Sequence, residues 1–159
     1  MPSSTAPGGH RATLFVRSDL PAPSEKRCTA IERELRELVC RGVLDDVETV
    51  EWDKRVPLQG PGNGTERDLY SEFADWARES RVCLAPFFDT RLCYSSTTGE
   101  KRRELIMPVV CLAVYEDGNL VQVAPFADAG RTESVEECIA ELGETGTLPD
   151  TGSTTVSTV

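Results

Sequence analysis

Histidine and lysine are scarce in this sequence, close cysteine pairs are missing, and no apolar run is long enough to cross a bilayer. Each absence removes a class of function. The single histidine, His10, falls in a polar N-terminal segment, and the six cysteines (Cys28, Cys40, Cys83, Cys93, Cys111 and Cys138) contain no Cys-x-x-Cys pair. A structural zinc site needs four Cys or His ligands, usually in close pairs, so no metal site and no cofactor is expected. Each cysteine instead falls on the apolar stripe of a predicted element, where a free thiol behaves as a small hydrophobe. The longest apolar run, Leu105–Tyr115, is too short for a bilayer and contains Pro108. Residues 1–12 hold no apolar segment of the kind a secretory signal requires. The chain therefore reads as cytoplasmic, with no membrane partner.

Catalytic patterns are equally thin. Ser95 and Ser96 lack the Gly-x-Ser-x-Gly setting of a nucleophile elbow. The Gly60–Gly64 loop precedes a helix, but its spacing fits neither the phosphate loop of nucleotide hydrolases nor the dinucleotide fingerprint. The carboxylate pairs Asp45-Asp46, Glu116-Asp117 and Glu136-Glu137 have no His, Cys or Lys placed to work with them. Leu148-Pro149-Asp150-Thr151-Gly152 matches a sortase signal in letters only, because neither a membrane span nor a basic tail follows it. The expectation is a protein that binds and does not catalyse.

What is abundant is acid. Asp and Glu number 27 against 17 Lys and Arg, a formal net charge of −10. In dilute buffer such an excess repels itself and weakens the compact state. In molar salt the Debye length falls to about 3 Å and the repulsion is screened. High acid with scarce lysine and plentiful Thr and Val reads as adaptation to a salt-rich, halophilic cytoplasm. Acidic clusters then decorate the surface and say little about partners.

Hydrophobic periodicity supplies the architecture. Residues 1–11 form a Pro/Gly/Ser-rich lead, 12–143 a single domain, and 144–159 a disordered tail. Thr13–Arg17 alternates as a strand. Ser24 is placed to cap a helix running to Arg41, with Cys28, Ile31, Leu35, Leu38 and Val39 on one stripe and Gly42 as its stop. Val47–Val56 reads as a second strand, and a strand-helix-strand unit of this length implies a parallel crossover. Thr65 and Asp68 suggest a capping box for a second helix, whose apolar face is Leu69, Tyr70, Phe73, Trp76 and Ala77. A strand near Thr90–Ser95 precedes Leu105–Tyr115, which is apolar on both faces and so expected to be central. Asp117-Gly118 signals a hairpin to Leu120–Ala124. Thr132 is read as the cap of a last helix ending at Gly143. The order β-α-β-α-β-β-β-α predicts an α+β fold: a mixed five-stranded sheet with three helices mainly on one face, a ferredoxin-like relative. A winged-helix domain is the alternative.

Two groups of residues stand out as candidate surfaces. Lys101-Arg102-Arg103 is the densest basic cluster in an acidic chain, with Arg91 expected on the neighbouring strand and Lys54-Arg55 as a second basic pair. Such side chains can meet nucleic-acid phosphates, or pair with Glu100 and Glu104 at a strand edge. Phe87 and Phe88, after Pro86, are candidates for lining a pocket, and point to opposite faces if extended. Trp52 and Trp76 are read as core.

Three segments carry a resemblance: Val50-Glu51-Trp52-Asp53-Lys54-Arg55-Val56, Leu84-Ala85-Pro86-Phe87-Phe88, and Met107 to Val121 with Val123-Ala124-Pro125 after it. These resemble a family of small haloarchaeal proteins labelled as helix-turn-helix-domain proteins, over roughly residues 12–142. The resemblance implies a role in transcription and DNA as partner. The predicted order joins no two helices by a short turn, so a long hairpin acting as a wing is the element left to enter a groove. The other open class is a module that binds a protein partner, a second copy or a small ligand through its sheet.

Overall fold

The computed structural model describes residues 10–58, 64–94 and 98–145. The elements run β1 (His10–Arg17), α1 (Ala22–Cys40), β2 (Asp46–Trp52), β3 (Arg55–Pro57), α2 (Gly64–Ser80), β4 (Asp89–Tyr94), β5 (Lys101–Ile106), β6 (Val110–Glu116), β7 (Asn119–Ala124), β8 (Phe126–Asp128), β9 (Arg131–Glu133) and α3 (Val135–Thr145). The chain is α+β, but the strands divide among three sheets. The main sheet has order β2-β1-β6-β7, an outer sheet has order β3-β5-β4, and β8-β9 is a small ladder.

The expected parallel crossover is present: β1 and β2 pair in parallel, joined through α1, while β6 and β7 continue the main sheet antiparallel. A split strand-helix-strand unit of the ferredoxin-like kind would hold another strand between its parallel pair. Here β1 and β2 are adjacent, and the main sheet has four strands, not five.

Proline explains the difference. The run Leu105–Tyr115 is two strands, β5 and β6, broken at Met107–Val109. Pro108 has no N–H for a ladder. The Val109 carbonyl accepts from the Arg17 backbone N–H at 3.0 Å, and the other two carbonyls at the break are taken by side chains. The Arg17 guanidinium donates to the Met107 carbonyl through Nε at 2.8 Å and also through a second nitrogen. The Trp52 indole donates to the Pro108 carbonyl at 3.3 Å. The expected second strand likewise breaks at Asp53-Lys54, sending Arg55–Pro57 into the outer sheet.

Helices cover both faces of the main sheet, not mainly one. Alternate side chains of each strand go to opposite cores. Leu14, Leu112 and Val114 join Ile31, Leu35 and Leu38 of α1 and Cys138, Ile139 and Leu142 of α3. Phe15, Cys111, Ala113 and Val123 join Phe73, Trp76 and Ala77 of α2. Trp52 and Trp76 are both buried, as expected. On the α2 side, Phe15 stacks on Trp52 with ring centroids 4.7 Å apart. The Tyr115 hydroxyl meets Glu72 at 3.4 Å, and burial first, then Glu72, pushes it up to about 12.

Helix ends refine the expected boundaries. The chain enters α1 from Pro21 with no side-chain cap, three residues before Ser24. Its exit follows the expected glycine: Gly42 takes φ +79°, with Gly42 N–H to Val39 O at 3.0 Å and Val43 N–H to Leu38 O at 2.9 Å. That pair of bonds is the Schellman ending. Thr65 lies inside α2, which begins at Gly64. The cap of α3 is Ser134, not Thr132. Its hydroxyl accepts from Glu137 N–H at 3.1 Å, and its own N–H donates to the Glu137 carboxylate at 2.8 Å, a capping box. α3 passes Gly143, whose carbonyl accepts from Arg41 at 2.8 Å. Asp117 and Gly118 both take positive φ, 53° and 80°, as the tight hairpin requires.

His10 is not part of a loose lead: it opens β1 and lies 3.8 Å from the Glu116 carboxylate. Cys28, Cys111 and Cys138 are buried as expected, but Cys40 and Cys83 are exposed free thiols. No described helix is long and apolar enough to cross a membrane. The Gly60–Asn63 stretch, Ser95-Ser96 and the Leu148–Gly152 motif lie outside the described residues.

Candidate nucleic-acid interface

The outer sheet narrows along its length. β3 pairs with β5 only at Glu104, Leu105 and Ile106. The Leu58 N–H still donates to the Arg103 carbonyl at 3.0 Å; beyond it, among the described residues, the sheet is a two-stranded ribbon, in which Leu92, Cys93 and Tyr94 of β4 lie opposite Arg103, Arg102 and Lys101 of β5. Directly opposed residues of an antiparallel pair project to the same side. One face of the ribbon therefore carries Leu92 with Arg103 and Tyr94 with Lys101. The other carries Arg91 with Glu104, and Arg102.

The root of this sheet is core and its tip is surface. Val56 and Leu105 are fully buried, whereas Leu92 and Tyr94 are 51% and 64% exposed. Lys101, Arg102 and Arg103 are exposed. The Lys101 ammonium lies 5.8 Å from the centre of the Tyr94 ring, within cation–π range. Among the described residues, these three cations form no ion pair.

The structure sorts the six basic candidates. Lys101, Arg102 and Arg103 come together at the tip. Arg91 is on the neighbouring strand as expected, held at 3.3 Å to Asp89. Arg55 sits lower and meets Glu104 at 3.8 Å. Lys54 lies at the opposite end of β5, roughly 17 Å from Lys101 at the rise of a strand. It lines a different cleft of about 430 Å³ with Arg17, Asp19 and Asp53, at the carboxyl ends of the parallel strands β1 and β2. Burial holds the Arg17 guanidinium below its ordinary range.

The two phenylalanines also separate. Phe88 is buried against Trp52, Tyr70 and Phe73, with centroids 5.7 to 6.1 Å away. It also lines a shallow apolar groove of about 370 Å³ with Tyr70, Ala74, Val82 and Leu84. Phe87 is half-buried against the same core. Leu92 and Tyr94 were not singled out from the sequence. Their signal was an apolar alternation opposite a basic run, which also fits an ordinary half-buried strand.

Helices α2 and α3 offer little to nucleic acid. The exposed residues of α2 include Asp68, Glu72, Asp75 and Glu79 against Arg78, which is itself paired to Asp75 at 2.9 Å. α3 carries Glu136, Glu137, Glu141 and Glu144 and no basic residue. On α1, Arg27 is bound to Glu136 at 2.6 Å and Arg36 to Glu32 at 3.2 Å, whereas Lys26 and Arg33 are exposed and form no ion pair among the described residues.

A family model described as Helix-turn-helix domain matches residues 4–147. The chain belongs to that family. In this helix-turn-helix domain the described helices are nonetheless not joined by a short turn. β2 and β3 separate α1 from α2, and six strands separate α2 from α3. No curated protein and no solved structure matches the chain.

Proposed function

We propose that the protein is a non-catalytic regulator of a halophilic cytoplasm, that of an archaeon, which binds duplex DNA through the tip of the β4–β5 ribbon. The observation that carries the reading is the exposed Lys101-Arg102-Arg103 cluster on a two-stranded ribbon. A ribbon of this width fits the major groove, about 12 Å across. Its three cations would meet phosphates, which set affinity and orientation. In molar salt the acidic surface elsewhere is screened, so the three cations act on phosphates only at contact distance. Membership of a helix-turn-helix family supports DNA as the partner.

The test is a titration with duplex DNA across salt concentrations. Binding should weaken as salt rises. Replacing Lys101, Arg102 and Arg103 by Ala should lower the salt slope by about one for each phosphate that is no longer neutralised. Binding unchanged by the triple replacement sinks the reading.

A small-ligand module is the second reading, favoured by the cleft at Arg17, Asp19, Asp53 and Lys54. Open sheets bind ligands outside the carboxyl ends of their parallel strands. DNA binding indifferent to the ribbon tip would turn attention there.

A further inference from the structure

The ribbon exposes two large apolar side chains, Leu92 and Tyr94, that DNA phosphates do not explain. Both belong to β4, and β4 is the edge of the outer sheet, paired with β5 on one side only among the described residues. An open edge presents a row of unpaired N–H and C=O groups, a template for another strand. The strand has no Pro, and its two charges, Asp89 and Arg91, are of opposite sign, so they repel a second copy only in some registers.

We propose that β4 pairs antiparallel with β4 of a second copy of this chain, in a two-fold ladder centred on Thr90. The strand is self-complementary in that register and not in its neighbour. With Thr90 opposite the second copy's Thr90, Asp89 faces the second copy's Arg91, and Arg91 faces its Asp89. Both ion pairs fall on one side of the ladder. On the other side, Leu92 of each copy stands opposite Phe88 of the other. Phe88 lines the apolar groove with Ala74, Val82 and Leu84, and Asp89 and Thr90 line it too, so groove and open edge adjoin. Leu92 thereby enters apolar surroundings that it lacks in the single chain. A register centred one residue further on sets Arg91 against Arg91, and like charges directly opposed are destabilising. A two-fold axis satisfies every pairing twice, as an isologous interface must. The joined edges make one continuous six-stranded sheet, β3-β5-β4 from each copy. This inference does not depend on DNA binding.

A ladder this short makes a weak dimer, visible over roughly the micromolar to millimolar range. Sedimentation of the full chain at moderate salt should therefore show the mass doubling as concentration rises. Arg91→Glu should weaken the dimer about tenfold or more, because it sets two carboxylates against each other. The exchange Asp89→Arg with Arg91→Glu should restore it to within about threefold of the parent, since the pairs re-form with reversed sign. Leu92→Asp should also abolish association, with an unchanged circular dichroism spectrum because the side chain is exposed in the single chain. A monomer throughout the range, a dimer indifferent to Arg91→Glu, or an exchange that fails to restore association overturns the proposal.

Discussion

The main sheet and the outer sheet are built from the same alternating pattern and meet opposite fates. In β6, Val110, Leu112 and Val114 go to one core while Cys111 and Ala113 go to the other. Helices close both faces, so every apolar side chain of that strand short of its end is buried. In β4 the pattern is similar, but among the described residues no helix covers the ribbon tip, and Leu92 and Tyr94 are exposed. Alternation decides which way a side chain points. Whether something meets it there depends on where the neighbouring layers end.

Four substitutions would break or sharpen this contrast. The largest effect belongs to the centre of the main sheet. Leu112→Ala removes a fully buried side chain opposite Leu14 and should cost about 3 to 5 kcal/mol of unfolding free energy in urea denaturation. The next effect depends on pH. Glu133 is buried beside Glu141, and its carboxyl is pushed up from 4.5 to about 8, by burial first and then by Glu141. The folded chain therefore holds this proton more tightly than the unfolded chain does. The stability from Glu133 is whole below about 4.5 and is lost as pH rises through about 8. Denaturation midpoints for Glu133→Gln should lack this decline, and an unchanged pH profile would refute the assignment.

Ser134→Ala removes the reciprocal cap of α3 and should cost about 1 kcal/mol, read as a lowered melting temperature. The smallest effect is expected at the tip. Leu92→Ala should change the stability of the dilute chain by less than about 0.5 kcal/mol. A loss there comparable to that of Leu112→Ala would mean that the ribbon is covered after all, and the contrast between the sheets would fall.

Much of the fold was legible because local chemistry and tertiary position agreed. The α1 stripe, its Gly42 ending and the Asp117-Gly118 hairpin all depend on residues close in sequence. The errors came where apolarity outvoted backbone chemistry. Leu105–Tyr115 looked like one central strand because both faces are apolar, yet Pro108 cannot donate to a ladder. The count of strands in the main sheet followed from that mistake. The basic cluster was legible as composition, and its neighbour Arg91 as an adjacent strand. Which cations are neutralised was not, because Arg55–Glu104 depends on a register across two strands. Leu92 and Tyr94 escaped notice for a related reason: apolar alternation looks the same whether or not a layer lies over it.

The break at residues 107–109 has a mechanical consequence. The chain that forms the basic tip continues, with no slack linker, into the central strand of the main sheet. Arg17 and Trp52 grip that joint by the carbonyls of Met107 and Pro108. The ribbon is thus a lever roughly 20 Å long, counted from Lys101 to Met107 at the rise of a strand, with a clamped fulcrum at its inner end. The joint itself is tied to β1 and β2 by the Arg17–Met107 and Trp52–Pro108 hydrogen bonds. Whatever the tip grips, the centre of the molecule carries the load.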